Sequence, residues 1–103
     1  SDDEYEFKTE IQDYHINAGG VTHGGFIMSM LDSGMGTAAH QVIEGKAVTI
    51  SLNTNFIGGS KAGDKIIGFA KIKKKTRSLI FMYGHLKCED KLLASAEGIW
   101  KII

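Results

Sequence analysis

Downstream of residue 46 the chain alternates apolar and polar residues in four successive segments, residues 47–57, 65–75, 78–89 and 92–102. Successive side chains of a β-strand point to opposite faces, so this period of two is typical of strands with one buried face. A fifth alternating segment, residues 5–11, lies near the N-terminus. Turn-forming residues separate the four later segments, and we expect three antiparallel hairpins in series.

One segment, residues 24–43, has the periodicity of a helix instead. Its apolar residues recur every three to four positions: Ile27, Leu31, Met35, Ala38 and Val42. Gly45 follows where a C-terminal cap is expected. A helix of about 20 residues is roughly 30 Å long, close to the length of a ten-residue strand. The pattern therefore predicts an α+β fold in which one long helix lies along a curved antiparallel sheet.

The opposite side of this helix carries small or polar residues: Gly25, Ser29, Asp32, Gly36 and Ala39. Such a side allows another backbone or a ligand to come close. A single helix also cannot cover five long strands, so apolar sheet surface and strand edges need a partner. A second copy of the chain is the simplest partner, and we expect a homodimer or a homotetramer.

Length and charge limit the classes of function. The 103 residues, 43% of them hydrophobic, fit a single domain over residues 1–103. With 12 basic and 12 acidic side chains the formal net charge is zero, so no overall field favours nucleic acid or an anionic membrane. There is no apolar stretch of membrane-spanning length, and the first residues are acidic. These features favour a cytoplasmic protein with a small-molecule ligand.

The strongest local motif joins a glycine-rich loop to the helix. It comprises Asn17, His23, Gly24 and Gly25, followed by Asp32 on the same side of the helix. Glycines at a helix start leave its first amides unshielded, and such amides stabilise a carbonyl oxygen that gains negative charge. A carboxylate beside them is an arrangement suited to acyl transfer. The alternative is structural: the glycines allow a tight turn, and Asp32 is hydrogen-bonded within an oligomer interface.

This pattern, Asn-x-x-Gly-x-x-His-Gly-Gly with an Asp nine positions after the His, resembles the hotdog-fold acyl-CoA thioesterases of the phenylacetate-pathway (PaaI-like) type. The resemblance covers residues 17–100 and includes the strand start at Ala47, the Gly63 turn and the last strand up to Trp100. It implies a hotdog fold, in which the sheet wraps the central helix. It also implies dimers whose sheets join side by side, with active sites at the dimer interface.

The resemblance assigns roles to individual residues. It makes Asp32 the general base or the nucleophile, acting on a thioester bound largely by the partner protomer. The amide of Gly24 or Gly25 would polarise the thioester carbonyl, and Asn17 and His23 would hydrogen-bond substrate or water. Thr49 matches a position that holds the attacking water, although it is equally an ordinary strand threonine.

Coenzyme A is the implied leaving group, as part of the substrate rather than a separate cofactor. Lys73, Lys75 and Arg77 belong to a basic cluster that could meet its phosphates, or that is simply a solvated surface. No pair of histidines has zinc-ligand spacing, so no metal is expected. We interpret His15, His40 and His85 as surface or packing residues.

The sequence therefore predicts a thioester hydrolase that releases a free acid and coenzyme A. The alternative is a non-catalytic acyl-CoA binding or assembly domain with the same fold. The acyl group remains open among aryl, short-chain and medium-chain thioesters, because the pocket walls come from several strands and from the partner.

Overall fold

One helix and five strands make up the part of the chain that the computed structural model describes, residues 3–10, 12 and 24–103. In chain order they are β1 (Glu4–Glu10), α1 (Gly24–His40), β2 (Ala47–Phe56), β3 (Lys65–Lys75), β4 (Leu79–Cys88) and β5 (Lys91–Ile102). The strands form one antiparallel sheet in the order β1-β3-β4-β5-β2. The expected α+β hotdog fold is confirmed, with α1 packed on one face of the curved sheet.

The core lies between α1 and the inner face of the sheet. Alternate residues of β3, β4 and β5 are buried there, as the period-two pattern predicts. From the helix, Leu31 and Met35 are fully buried, and from the sheet Trp100 is 2% exposed. Removing apolar area of this kind from water is the main favourable contribution to folding. Because Leu31 and Met35 face the core, the opposite side of α1 stays accessible. Asp32, next to Leu31 in the chain, is half-buried.

The prediction of three hairpins in series is wrong for the first of them. β3–β4 and β4–β5 are hairpins, but β2 pairs with β5 and β3 pairs with β1. Residues 58–64 therefore cross from one side of the sheet to the other. Alternation identifies the buried face of a strand but not its neighbour. β2 consequently lies at one edge of the sheet, and β1 lies at the other.

The helix is shorter than the expected span of residues 24–43. It ends at His40, and the amides of Gln41 and Val42 then bond to the carbonyls of Ala38 and Ala39, three positions back. Such bonds tighten the last turn of a helix. Gly45 has a φ of 97°, in the left-handed region that favours glycine, but it lies in the following turn. Ala39, expected on the open side, is buried.

Several large apolar side chains remain exposed on or beside the edge strand β2. Val48 is 44% exposed, and Ile50, Phe56 and Ile57 are each 54% exposed. Met28 on α1 is 41% exposed. Within the described part of the chain, no helix is long and apolar enough to cross a membrane.

Candidate active site

The structure brings Asp32 and Thr49 into direct contact. Asp32 lies in the third turn of α1, and Thr49 lies near the start of β2. The Thr49 hydroxyl donates a hydrogen bond to Oδ1 of Asp32 over 2.7 Å. A donated hydroxyl orients the carboxylate, while the lone pairs of the same hydroxyl can accept a hydrogen bond from water. Asp32 is half-buried and Thr49 is exposed, so solvent water reaches this pair.

An open depression of about 530 Å³ surrounds the pair. Its wall includes Asp32, Ser33, Thr37, His40, Thr49 and Trp100. The Thr37 hydroxyl donates to the Ser33 carbonyl over 2.8 Å, so it is satisfied within the helix. Gly36 lies over the Trp100 ring, because a Cβ at this position would be 3.5 Å from Nε1 of Trp100. The carboxylate of Asp32 is the acidic group of this wall.

Gly24 and Gly25 begin α1, as the motif predicts. A Cβ on Gly25 would meet nothing within 4 Å among the described residues. A Cβ on Gly24 would be 3.4 Å from the ring of Phe56. The first turn of α1 contains no acidic residue. Within the described residues, no acidic side chain of the first turn competes for the amides at the positive end of the helix dipole.

The helix separates these amides from Asp32 of the same chain. Asp32 is seven positions beyond Gly25 along the helix, a rise of roughly 10 Å at 1.5 Å per residue. A nucleophile or base must lie about 3 Å from the atoms on which it acts. One copy of the chain therefore does not place its own helix-start amides and its own Asp32 on the same thioester carbonyl.

The basic residues of the predicted site lie at the end of β3 and in the turn that follows it. Lys73 forms an ion pair with Glu97 at 3.1 Å and lines a separate depression of about 150 Å³ together with Asn53 and Phe81. This depression is on the outer face of the sheet, away from Asp32. Lys75 ends β3 and Arg77 lies in the β3–β4 turn.

That turn is at the Thr49 end of the sheet. The amide of Ile102 donates to the Ser78 carbonyl over 2.8 Å, and Ile102 pairs with Ala47, the first residue of β2. Arg77 therefore lies at the end of the sheet that also holds Thr49. Asn17 and His23 lie outside the described residues, so their predicted roles stay predictions. Among the described residues, no group of three or more His, Cys, Asp or Glu could hold a metal ion.

His40 contributes to the depression, although its place in the sequence indicated only a surface or packing residue. Its ring makes two hydrogen bonds to backbone atoms, to the carbonyl of Gly36 and to the amide of Ala47. The sequence signal available was its place on the helix, eight positions beyond Asp32 and in the last turn. That spacing alone does not reveal the contact with β2, because the contact depends on how the strand crosses the helix.

Comparison with known proteins identifies the family. The sequence profile of the thioesterase superfamily matches residues 19–95. A protein from Pseudomonas aeruginosa named "Putative esterase" is 30% identical over 94 residues, which cover 89% of this chain and 70% of that protein. Both matches include Asp32 within a span that also contains α1, β2, β3 and β4.

Solved structures agree closely with the fold. A phenylacetic acid degradation-related protein from Ralstonia eutropha is 25% identical and has a TM-score of 0.92, with coverage of 96% of this chain and 76% of that chain. The PaaI protein of E. coli is 17% identical with a TM-score of 0.92, and the match covers 97% and 72% of the two chains. A Streptococcus mutans protein solved with acetyl-CoA is 22% identical with a TM-score of 0.93, and the match covers 98% and 82%.

These matches confirm the predicted resemblance of the chain to PaaI-like thioesterases. They also support thioester hydrolysis as the general activity of the chain. The chain belongs to the thioesterase superfamily, with a hotdog fold of the PaaI-like type.

Proposed function

We propose that the protein is an acyl-CoA thioesterase in which Asp32 acts as the general base. Water donates a proton to the Asp32 carboxylate and attacks the thioester carbon. The C–S bond then breaks, the acid is released, and the proton passes to the departing thiolate of coenzyme A. The observation that carries this proposal is the 2.7 Å hydrogen bond from Thr49 to Asp32, which orients a solvent-accessible carboxylate.

Polarisation of the carbonyl is assigned to the helix-start amides. No described residue lies within 4 Å of a Cβ placed on Gly25, and the first turn of α1 holds no acidic residue. Backbone donors aimed at a developing oxyanion are among the largest contributions to catalysis of acyl transfer. Because about 10 Å of helix separates Gly25 from Asp32, we propose that the amides of one protomer act with the Asp32 of a partner.

Coenzyme A as the leaving group is supported by two observations. The Streptococcus mutans protein of the same fold was solved with acetyl-CoA bound. In this chain, Lys75 and Arg77 are exposed at the Thr49 end of the sheet, where they can meet phosphates. We propose these two residues as the first phosphate contacts, whereas Lys73 stays a prediction, since its ammonium pairs with Glu97 at 3.1 Å.

The first test is release of free thiol from a panel of phenylacetyl-, benzoyl-, acetyl-, hexanoyl- and palmitoyl-CoA. We expect at least one thioester to be hydrolysed, and Asp32→Asn to lower kcat by about 10²-fold or more. Asparagine keeps the shape of the side chain but cannot accept the proton. Saturable binding of these thioesters without thiol release would instead identify a non-catalytic acyl-CoA binding or assembly domain.

The role of the helix-start amide is tested with Gly25→Pro and its matched control Gly25→Ala. A Cβ at this position meets no described residue within 4 Å, and proline is tolerated in the first turn because that amide has no acceptor within the helix. Only proline removes the N–H. We expect kcat to fall about 10²- to 10³-fold in Gly25→Pro and to stay near native in Gly25→Ala. Equal activity of the two variants would remove Gly25 from the proposed oxyanion site.

A further inference from the structure

His40 connects the last turn of α1 to the first residue of β2. Its Nδ1 lies 2.8 Å from the Gly36 carbonyl oxygen, and the Ala47 amide donates to its Nε2 over 3.2 Å. A backbone carbonyl can only accept a hydrogen bond, and a backbone N–H can only donate one. Both bonds are therefore satisfied by one form of the ring, the neutral tautomer with its proton on Nδ1.

This bridge acts on the strand that carries Thr49. β2 is an edge strand, and in the described part of the sheet its one neighbouring strand is β5. Two side-chain hydrogen bonds join it to α1, His40 with Ala47 and Thr49 with Asp32. Ala47 and Thr49 are two positions apart and so point to the same face. A register shift follows directly, between Thr49 and Ser51.

The register shift separates the first three residues of β2, residues 47–49, from the rest of the strand. Residues 47–49 pair in regular register with residues 100–102 of β5, and the bulge separates this three-residue ladder, which holds Thr49, from the rest of β2. The His40 bridge holds the strand to the helix on the near side of the bulge. The position of the Thr49 hydroxyl relative to Asp32 then depends on the bridge as well as on β5.

We propose that His40 is a positioning residue for thioester hydrolysis. By accepting the Ala47 N–H and donating to Gly36, it fixes the start of β2 against α1, and thereby keeps the Thr49 hydroxyl in contact with Asp32. This inference rests on the proposed function, since it concerns the same carboxylate. It assigns His40 no contact with the reacting atoms. Its loss should therefore affect the chemical step more than the binding of substrate.

The kinetic test compares His40→Leu with His40→Gln on the thioester that the native protein hydrolyses best. Glutamine offers an amide oxygen to accept the Ala47 N–H, whereas leucine of similar size offers no acceptor. A displacement of the catalytic pair by about 1 Å can lower the rate up to about 10²-fold. We expect His40→Leu to lower kcat at least about tenfold with KM within about twofold of native, and His40→Gln to recover most of kcat.

Two other kinetic results would overturn the inference. A native kcat in His40→Leu would show that the bridge is not needed. A raised KM with unchanged kcat would mean that the ring binds substrate instead. If the native protein releases no thiol from any thioester, the proposed function fails first and the positioning role fails with it. That result differs from an active native protein with an equally active His40→Leu.

A second measurement keeps the inference testable if His40→Leu folds poorly. Nitrogen-15 imidazole spectra of the native protein report which ring nitrogen carries the proton, and amide hydrogen exchange reports protection at Ala47. We expect the Nδ1–H tautomer at His40, and an Ala47 amide that is protected from exchange in the native protein and in His40→Gln. An Nε2–H tautomer in an active native protein would rule out the bridge.

Discussion

The hydroxyl of Thr49 orients a carboxylate that belongs to a different element of the fold. Thr49 donates to Asp32 over 2.7 Å, and its remaining lone pairs can accept a hydrogen bond from the attacking water. The methyl group of Thr49 takes no part in this contact. The contribution of the hydroxyl can therefore be separated from that of side-chain shape.

We predict that Thr49→Val, which keeps the shape and loses the hydroxyl, lowers kcat about tenfold to hundredfold. Thr49→Ser keeps the hydroxyl and should remain within a few-fold of native activity. Thiol release under saturating substrate measures both variants, with Asp32→Asn as the reference for loss of the base. Equal rates for the valine and serine variants would assign Thr49 to ordinary strand packing.

His85 on the outer face of the sheet predicts a pH dependence of stability. Its ring stacks on Phe69 with centroids 5.0 Å apart and meets the edge of Tyr83 at 5.7 Å. Burial of the imidazole, with the charge of Lys87 as a second cause, lowers the pKa of His85 below 6.5. In the unfolded chain the pKa returns to its ordinary value of about 6.5.

The direction in which stability changes with pH follows from proton binding at His85. Below about pH 6.5 the unfolded chain takes up a proton at His85 before the folded protein does, so the free energy of unfolding decreases as the pH falls. We predict that His85→Phe, which keeps the stacking and cannot titrate, loses less stability between about pH 8 and pH 5.5 than the native protein does. Chemical unfolding at several pH values measures this difference. Parallel curves for the two proteins would contradict the prediction.

The sequence located the residues of the candidate site better than it located their surroundings. Asp32 and Thr49 were both named from the motif and the resemblance, and the structure brings them together. Lys73 was grouped with Lys75 and Arg77 because a run of basic residues does not reveal which way each side chain points. In the structure, the Lys73 ammonium pairs with Glu97 on the outer face. His40 was missed as a contact of β2 because its partners are backbone atoms, which leave no sequence pattern.

Among the strands and the helix, β1 is held by one aromatic side chain between two glycines. A Cβ on Gly34 of α1 or on Gly68 of β3 would overlap the ring of Phe7. Neither glycine has a positive φ, so close approach of Phe7, rather than backbone conformation, requires glycine there. The Phe7 ring thus fills the place of two side chains, and β1 docks on the helix and on β3 together.

We predict that Gly68→Ala destabilises the protein by about 1–3 kcal/mol, because the methyl group displaces the Phe7 ring. Phe7→Leu should lower the free energy of unfolding less in the Gly68→Ala background than in the native protein, since the smaller side chain leaves room for the methyl group. Urea unfolding of the native protein, the two single variants and the double variant gives the coupling free energy between the two positions. Gly25→Ala, where a Cβ meets no atom within 4 Å, is the control. Additive effects of the two substitutions would mean that the ring is not the obstacle.

The strands were predicted from alternation almost to their ends, but their order in the sheet was not. The segment at residues 65–75 coincides with β3, and the others differ by one or two residues at their ends. The error was to place β2 beside β3, although β2 pairs with β5. Alternation encodes the face that is buried. Pairing across the sheet depends instead on the crossover through residues 58–64, which the local pattern does not specify.

At the scale of the whole molecule, the exposed edge strand and the proposed mechanism both favour a partner protomer. β2 is an edge strand with exposed apolar residues, Val48 at 44% and Ile50 at 54%. An edge of this kind pairs readily with another strand, and pairing of two β2 strands across a two-fold axis would continue the sheet. In the proposed mechanism, the rise of roughly 10 Å between Gly25 and Asp32 also calls for a second copy to complete the site. One interface would satisfy both requirements.

We predict that the protein is a homodimer or a homotetramer built from such dimers. We also predict that Ile50→Asp makes it monomeric and inactive. Burying an ionised carboxylate at the centre of an apolar interface is strongly unfavourable unless a cation or a hydrogen-bond donor pairs with it. Ile67→Asp is the matched control, because it makes the same change of residue and charge at a site that is 42% exposed on β3, away from β2. Sedimentation and thiol release should show that Ile67→Asp keeps the β2-edge dimer and its activity. A native protein that hydrolyses thioesters fully as a monomer would contradict the composite site, since Asp32 would then have to reach the helix-start amides of its own chain.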